Sequence, residues 1–227
     1  MKYSVFGTMM PMLEMTLDRG ETVVSQTGAM KYMDRTIDMN TRMTGGVGGF
    51  LKRAFMQESG FLSYFTSRQE KSRIAFGHTF PGTIIPVDVT SRSLICQKRA
   101  FLCSEQSVEL ELYFQKKLGT AFFGGEGFVM QQLKGTGTAF VEIDGEVKQL
   151  ELDRGKSIQV ETGAVAMFTE TVTMDVEMIK GAGNILFGGE GIFLTTLTGP
   201  GTVWLQTLSI QSLAREVFPF LPAQKSR

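Results

Sequence analysis

The stretch LDRGETVVSQTGAM (residues 17–30) returns as LDRGKSIQVETGAV (residues 152–165), at a constant offset of 135 and without a gap. Leu, Asp, Arg, Gly, Thr, Gly and Ala recur at identical places. A weaker copy, VTSRSLICQKRAF (residues 89–101), aligns at an offset of 71, setting Ser93 on Thr22 and Ala100 on Ala29. A second signature is interleaved with the first. FFGGEGFVM (122–130) matches LFGGEGIFL (186–194), 64 positions on, and Gly135, Gly137 and Thr138 then fall on Gly199, Gly201 and Thr202. The first third of the chain carries only a degenerate form, AFMQESGFLSYF (54–65). The chain therefore reads as three tandem modules of about 65 residues, with boundaries at 1–86, 87–149 and 150–227. A unit of that size buries too little surface to be robust alone, so the three are expected to be fused.

Inside the modules the hydrophobic period is two. SVELELYF (107–114) puts Val108, Leu110, Leu112 and Phe114 on one face and Glu109 and Glu111 on the other. TVTMDVEMI (171–179) aligns Val172, Met174, Val176 and Met178. GTAFVEIDGEVKQLEL (137–152) reads as a strand, an Asp-Gly turn and a strand. Alternation with frequent turn signals points to an all-β fold. Only SIQSLAREVFPFLP (209–222) looks helical, with Ser212 as its cap, Leu213 and Val217 on one face and Pro219 near its end.

The GGEG element, the LxGxGxxxL that follows it, the preceding LxRGxSIxxxTGA and the ending LAREVFPFLP together resemble bacterial relatives of a mitochondrial biogenesis protein first described through altered inheritance of mitochondria. The resemblance runs from about Leu17 to Pro222. It implies three β-sandwich modules, or short double-stranded β-helices, similar to the tryptophan RNA-binding attenuation protein (TRAP-like). It also implies a ring-like homotrimer. It implies no enzymatic activity and therefore transfers no catalytic residues.

Composition narrows the function classes. Apolar residues make up 42% and charged residues 20%, as in a folded chain. Twenty-three cations balance 23 anions, so nothing favours binding to phosphate backbones. The local run SRQEKSR (67–73) reads as a solvated loop rather than a basic patch. Two cysteines without metal-ligand spacing, Cys96 and Cys103, read as reduced cytosolic thiols, with a hairpin-spanning disulfide as the alternative. The N-terminus does not read as a signal peptide, and no apolar run is long enough to span a membrane. Peripheral association with a membrane stays open.

Each candidate site has a chemical and a structural reading. The glycine elements Gly124, Gly125, Gly127 and Gly188, Gly189, Gly191 resemble a phosphate loop but lack its Lys, and TGGVGGFLKR (44–53) has Lys52 at the wrong spacing. Turns or bulges explain them better. Glu126 and Glu190, with Glu58 as the degenerate equivalent, converge on a cation if the modules circle an axis. The preferred reading is that each carboxylate accepts N–H bonds from its own glycine turn. Arg19 and Arg154 offer anion binding or, preferred, a turn leading into a strand and paired to a neighbouring carboxylate. His78 is the sole histidine, so a triad or a histidine metal site is poorly supplied. Ten of the 14 methionines lie at or before Met56, which suits core filling, an adaptable partner surface or, least well, Cu(I). Phe122, Phe123, Phe128 and Phe187 could stack bases but sit among apolar neighbours. The expectation is a non-catalytic cytoplasmic scaffold or binding protein without a cofactor, self-associating as a homotrimer and acting on an unknown protein partner. The alternatives are a metal or small-molecule binder and, third, an RNA binder by fold analogy.

Overall fold

The structure is a computed structural model and describes residues 1–43, 61–77, 79–97, 99–116, 128–179, 192–217 and 220. Among the described residues, a first strand β1 (Lys2–Phe6) is followed by eighteen strands in three sets of six. The first set is β2 (Met12–Leu17), β3 (Thr22–Gln26), β4 (Met30–Met33), β5 (Ile37–Met43), β6 (Phe61–Ser67) and β7 (Ser72–Gly77). The second is β8 (Gly82–Asp88), β9 (Leu94–Gln97), β10 (Phe101–Glu105), β11 (Val108–Lys116), β12 (Phe128–Gly135) and β13 (Thr138–Asp144). The third is β14 (Val147–Leu152), β15 (Ser157–Glu161), β16 (Val165–Thr169), β17 (Thr173–Ile179), β18 (Ile192–Thr198) and β19 (Gly201–Gln206). A short helix α1 (Ile210–Val217) comes last. The sets start at Met12, Gly82 and Val147, a few residues before the starts at 87 and 150 read from the repeats.

Among the described residues all pairings are antiparallel, in four sheets. Sheet 1 has the order β1-β2-β7-β4, sheet 2 β5-β6-β3-β10-β13-β8, sheet 3 β11-β12-β9-β16-β19-β14 and sheet 4 β15-β18-β17. Each set thus contributes one half-sheet built from its second, fifth and fourth strands, and another from its third, sixth and first. Sheets 2 and 3 each join two such halves from consecutive sets, through β3–β10 and β9–β16. Sheets 1 and 4 hold one half each.

The sheets are layered by three apolar cores. Leu13, Met15, Ile74 and Phe76 of sheet 1 meet Phe65, Leu102 and Phe140 of sheet 2. Val87, Val141 and Ile143 of sheet 2 meet Leu94, Leu133 and Trp204 of sheet 3. Phe128, Met130, Phe168 and Val203 of sheet 3 meet Val176, Phe193 and Leu197 of sheet 4. The inner sheets are covered on both faces, so β16 is buried throughout and β13 along its five central residues. A strand covered on both faces loses alternation and reads as a continuous apolar run. The outer strand β2 keeps its period, with Leu13, Met15 and Leu17 fully buried between half-buried neighbours.

The Asp-Gly segment is not a hairpin: β13 belongs to sheet 2 and β14 to sheet 3, so the turn at Gly145 crosses between layers. Alternation in β11 breaks at a bulge between Leu112 and Phe114, leaving Leu112 exposed and sending Tyr113 against Phe168 with ring centroids 6.1 Å apart. Val172, just before β17, and Val176 within it are buried as the pattern requires, but Met178 near the strand's far end is exposed. The helix is capped by Ser209 rather than Ser212, because the Ser209 Oγ accepts the Ser212 N–H at 3.1 Å.

The repeated glycines after β12 and β18 carry the chain from one layer to the next. A Cβ on Gly135 would lie 2.4 Å from the Ser107 carbonyl oxygen, and one on Gly199 would lie 2.5 Å from that of Leu152. Backbone passes so close there that no side chain fits.

Candidate functional site at the sheet junctions

The third strand of each set is shaped alike. A bulge falls between Met30 and Tyr32 in β4, between Phe101 and Cys103 in β10 and between Val165 and Met167 in β16. In β10 and β16 that strand meets the second strand of the preceding set in the same register. Cys103, Ser104 and Glu105 lie opposite Ser25, Val24 and Val23. Met167, Phe168 and Thr169 lie opposite Cys96, Ile95 and Leu94.

Polar side chains at the ends of these strands stitch the junctions. Gln26 Nε2 donates to Glu142 Oε1 at 3.0 Å, and the buried Ser25 hydroxyl donates to the Leu102 carbonyl at 2.8 Å. At the equivalent second junction, Gln97 Nε2 donates to the carbonyls of Gly163 and Val165. Gln206, the counterpart of Glu142, donates to the same Gly163 carbonyl at 2.8 Å and to Gln97 Oε1 at 3.4 Å. Burial pushes the Glu142 carboxyl up from 4.5 to about 7, against the opposing pull of the Thr79 backbone N–H, with the neighbouring Asp144 adding to the rise. Asp144 is itself raised by burial to about 6, offset in part by Arg99. Burial, with Glu142 nearby, also drives the Cys103 thiol well above its usual value. A thiol held protonated in an apolar core is a poor nucleophile.

The residues singled out from sequence fall elsewhere. Arg19 and Arg154 are exposed in matching turns, and no ion pair to either is seen among the described residues. The glycines beside them do the holding: the Gly20 N–H bonds the Ser67 carbonyl at 2.8 Å and the Gly155 N–H bonds that of Gly199 at 3.2 Å. Glu58, Glu126, Glu190, the glycines flanking Glu126 and Glu190, Lys52, Phe122, Phe123, Phe187 and His78 lie outside the described residues. Cys96 and Cys103 form no disulfide with each other and are buried in different sheets, which removes the disulfide alternative. Phe128 is core, at 1% exposure. Met15 is core, Met1, Met30 and Met33 pack against it, and Met9, Met10 and Met39 are exposed. Arg68 and Arg73 in the basic run face Asp38 and Asp34 at 3.2 and 3.6 Å, as solvated pairs. Among the described residues no group of three His, Cys, Asp or Glu side chains could hold a metal ion.

Sequence reasoning passed over Gln26, Gln97 and Glu161, although the repeat alignment already sets them on one another. Their role needs the non-local pairing to become visible.

Residues 3–208 match the family described as Mitochondrial biogenesis AIM24. The chain belongs to the AIM24 family. An AIM24-like relative of Streptococcus pyogenes serotype M6, an uncharacterised protein, is 26% identical over 236 residues, covering 100% of this chain and 93% of that one. The AIM24 fold described above is similar to the crystal structure of a Streptococcus pyogenes protein solved by structural genomics, with a TM-score of 0.78 at 23% identity, over 97% of this chain and 99% of that one. Among the described residues no helix is long and apolar enough to cross a membrane.

Proposed function

We propose that this AIM24-family protein is a non-catalytic scaffold or binding protein that acts as a ring-like homo-oligomer in the cytoplasm. The observation that carries the reading is the incomplete state of the two outer sheets. Sheets 2 and 3 are each made by joining two half-sheets, whereas sheets 1 and 4 are the two complementary halves, left apart at opposite ends of the stack. Proteins built by sharing sheets between successive units extend by the same operation. A TRAP-like ring of three copies is the state that the family resemblance implies. The balanced charge favours a protein partner over nucleic acid, and two buried thiols outside any disulfide fit a reducing compartment.

Native mass spectrometry and light scattering on protein purified without chelator test this. The expected result is one discrete oligomer free of metal and ligand. A monomer at every concentration removes the scaffold ring, and a stoichiometric bound ion or small molecule replaces the reading with a ligand-binding one.

A further inference from the structure

We infer that β15 of one copy pairs antiparallel with β4 of the next, fusing sheet 4 to sheet 1 into a third six-strand core sheet of the same construction as sheets 2 and 3. The inference rests on the homo-oligomer reading and names its contact. Reading outward from sheet 4, the joined order would be β17-β18-β15, then β4-β7-β2 of the next copy, with β1 beyond. That order repeats β5-β6-β3-β10-β13-β8 and β11-β12-β9-β16-β19-β14, strand type for strand type. Within one chain, β4 pairs only with β7 and β15 only with β18 among the described strands.

The register follows from the repeat. Residues opposed at the two internal junctions map onto Tyr32 opposite Val160, Met33 opposite Gln159 and Asp34 opposite Ile158. Burial marks these edges as unfinished. At the internal junctions Ser25, Cys96, Cys103 and Phe168 are fully buried. The free strands instead read half-buried, exposed, exposed, half-buried along β4, and alternate exposed with half-buried along β15.

A bulge and a lysine on an edge strand are ordinary devices against unwanted pairing. Here the bulge does not serve that purpose, because β10 and β16 carry it while fully paired. The lysine has a partner waiting. Lys31 occupies the bulge position filled by Leu102 and Ala166 at the internal junctions. Its side chain lies over Gly77, the position where Glu142 and Gln206 stand in the other sets; a Cβ there would meet Lys31 at 2.4 Å. Across the proposed junction stands Glu161, the exposed counterpart of Gln26 and Gln97. The Gln26–Glu142 hydrogen bond and its Gln97–Gln206 equivalent would thus become a Lys31–Glu161 ion pair. Opposite charges on two edges that must find each other select the right partner. The interface is heterologous, with β15 on one side and β4 on the other, so it propagates around a ring.

The test uses the full chain. Lys31→Glu and Glu161→Lys each should weaken assembly about tenfold or more in light scattering, and the double swap should restore it. Independently of charge, mixing a Tyr32→Cys chain with a Val160→Cys chain under oxidation should give a disulfide-linked dimer that neither chain forms alone. The native thiols are too buried to compete. If the wild type assembles but neither charge variant weakens it and no mixed disulfide appears, the interface lies elsewhere and only this inference falls. If a single-cysteine chain links to itself, a symmetric contact replaces the head-to-tail one. If the wild type is monomeric throughout, the homo-oligomer reading falls with it.

Discussion

Replacing Glu142 with Gln should stabilise the protein at alkaline pH and leave it nearly unchanged in acid. Glu142 is 7% exposed in β13, and burial holds its folded carboxyl at about 7 against an ordinary value of 4.5. Between those two values the native state binds more protons than the unfolded chain, so stability falls as pH rises. The contribution is present in full below pH 4.5 and lost by about pH 7. A move of that size corresponds to roughly 3 kcal/mol. Asp144, raised to about 6 by burial, has the same sign and adds to the fall. Glutamine is neutral throughout and keeps an oxygen to accept the Gln26 amide, so its own curve lacks this term. Urea unfolding at a fixed protein concentration, at pH 5 and pH 8, measures the gap. The variant should lie close to wild type at pH 5 and above it by about 2–3 kcal/mol at pH 8. An equal gap at both pH values would refute the reasoning, because it would mean that Glu142 is already ionised without cost in the fold.

Further outcomes follow from the packing. Phe140→Ala empties a fully buried site against Tyr3, whose ring centroid lies 4.8 Å away, and should cost about 3–5 kcal/mol in chemical denaturation. Gly135→Ala, with φ +109° and a Cβ aimed at the Ser107 oxygen, should lower the melting temperature far more than Gly155→Ala, where φ is +76° but no atom lies within 4 Å; the latter should cost about 1 kcal/mol. Ser209→Ala removes the cap of α1 and should fray that helix by about 1 kcal/mol, read as faster amide exchange in α1 with the sheets unaffected.

Much of the secondary structure was legible in the chain, and little of the site was. The outer strands announced themselves through alternation, as in β2, because one face meets a core and the other does not. The central strands did not, since β13 and β16 lie between two cores and are buried on both faces, which leaves no alternation to read. The strand, Asp-Gly turn and strand at 138–152 are legible but the sheets they join are not: a turn's chemistry reports a change of direction, not which sheet receives the next strand. Ser212 reads as a helix cap because it precedes Leu213 at the start of the apolar spacing, whereas the cap is the residue whose oxygen reaches an N–H one turn on, Ser209. Leu112 loses its place on the apolar face because a bulge adds one residue to a strand and leaves no mark in its composition.

By itself, the sequence determined that the chain is β-rich and that its features recur three times, with Gly135 and Gly137 returning as Gly199 and Gly201. Those are local properties: periodicity, backbone freedom and repetition act on neighbours along the chain. Only the tertiary structure decided that the second strand of one set pairs with the third strand of the next, making Gln26, Gln97 and Glu161 equivalent positions on a seam. Edge pairing is made by backbone N–H and C=O groups, which every residue but proline carries alike, and the side chains that favour one pairing meet only once the strands are side by side.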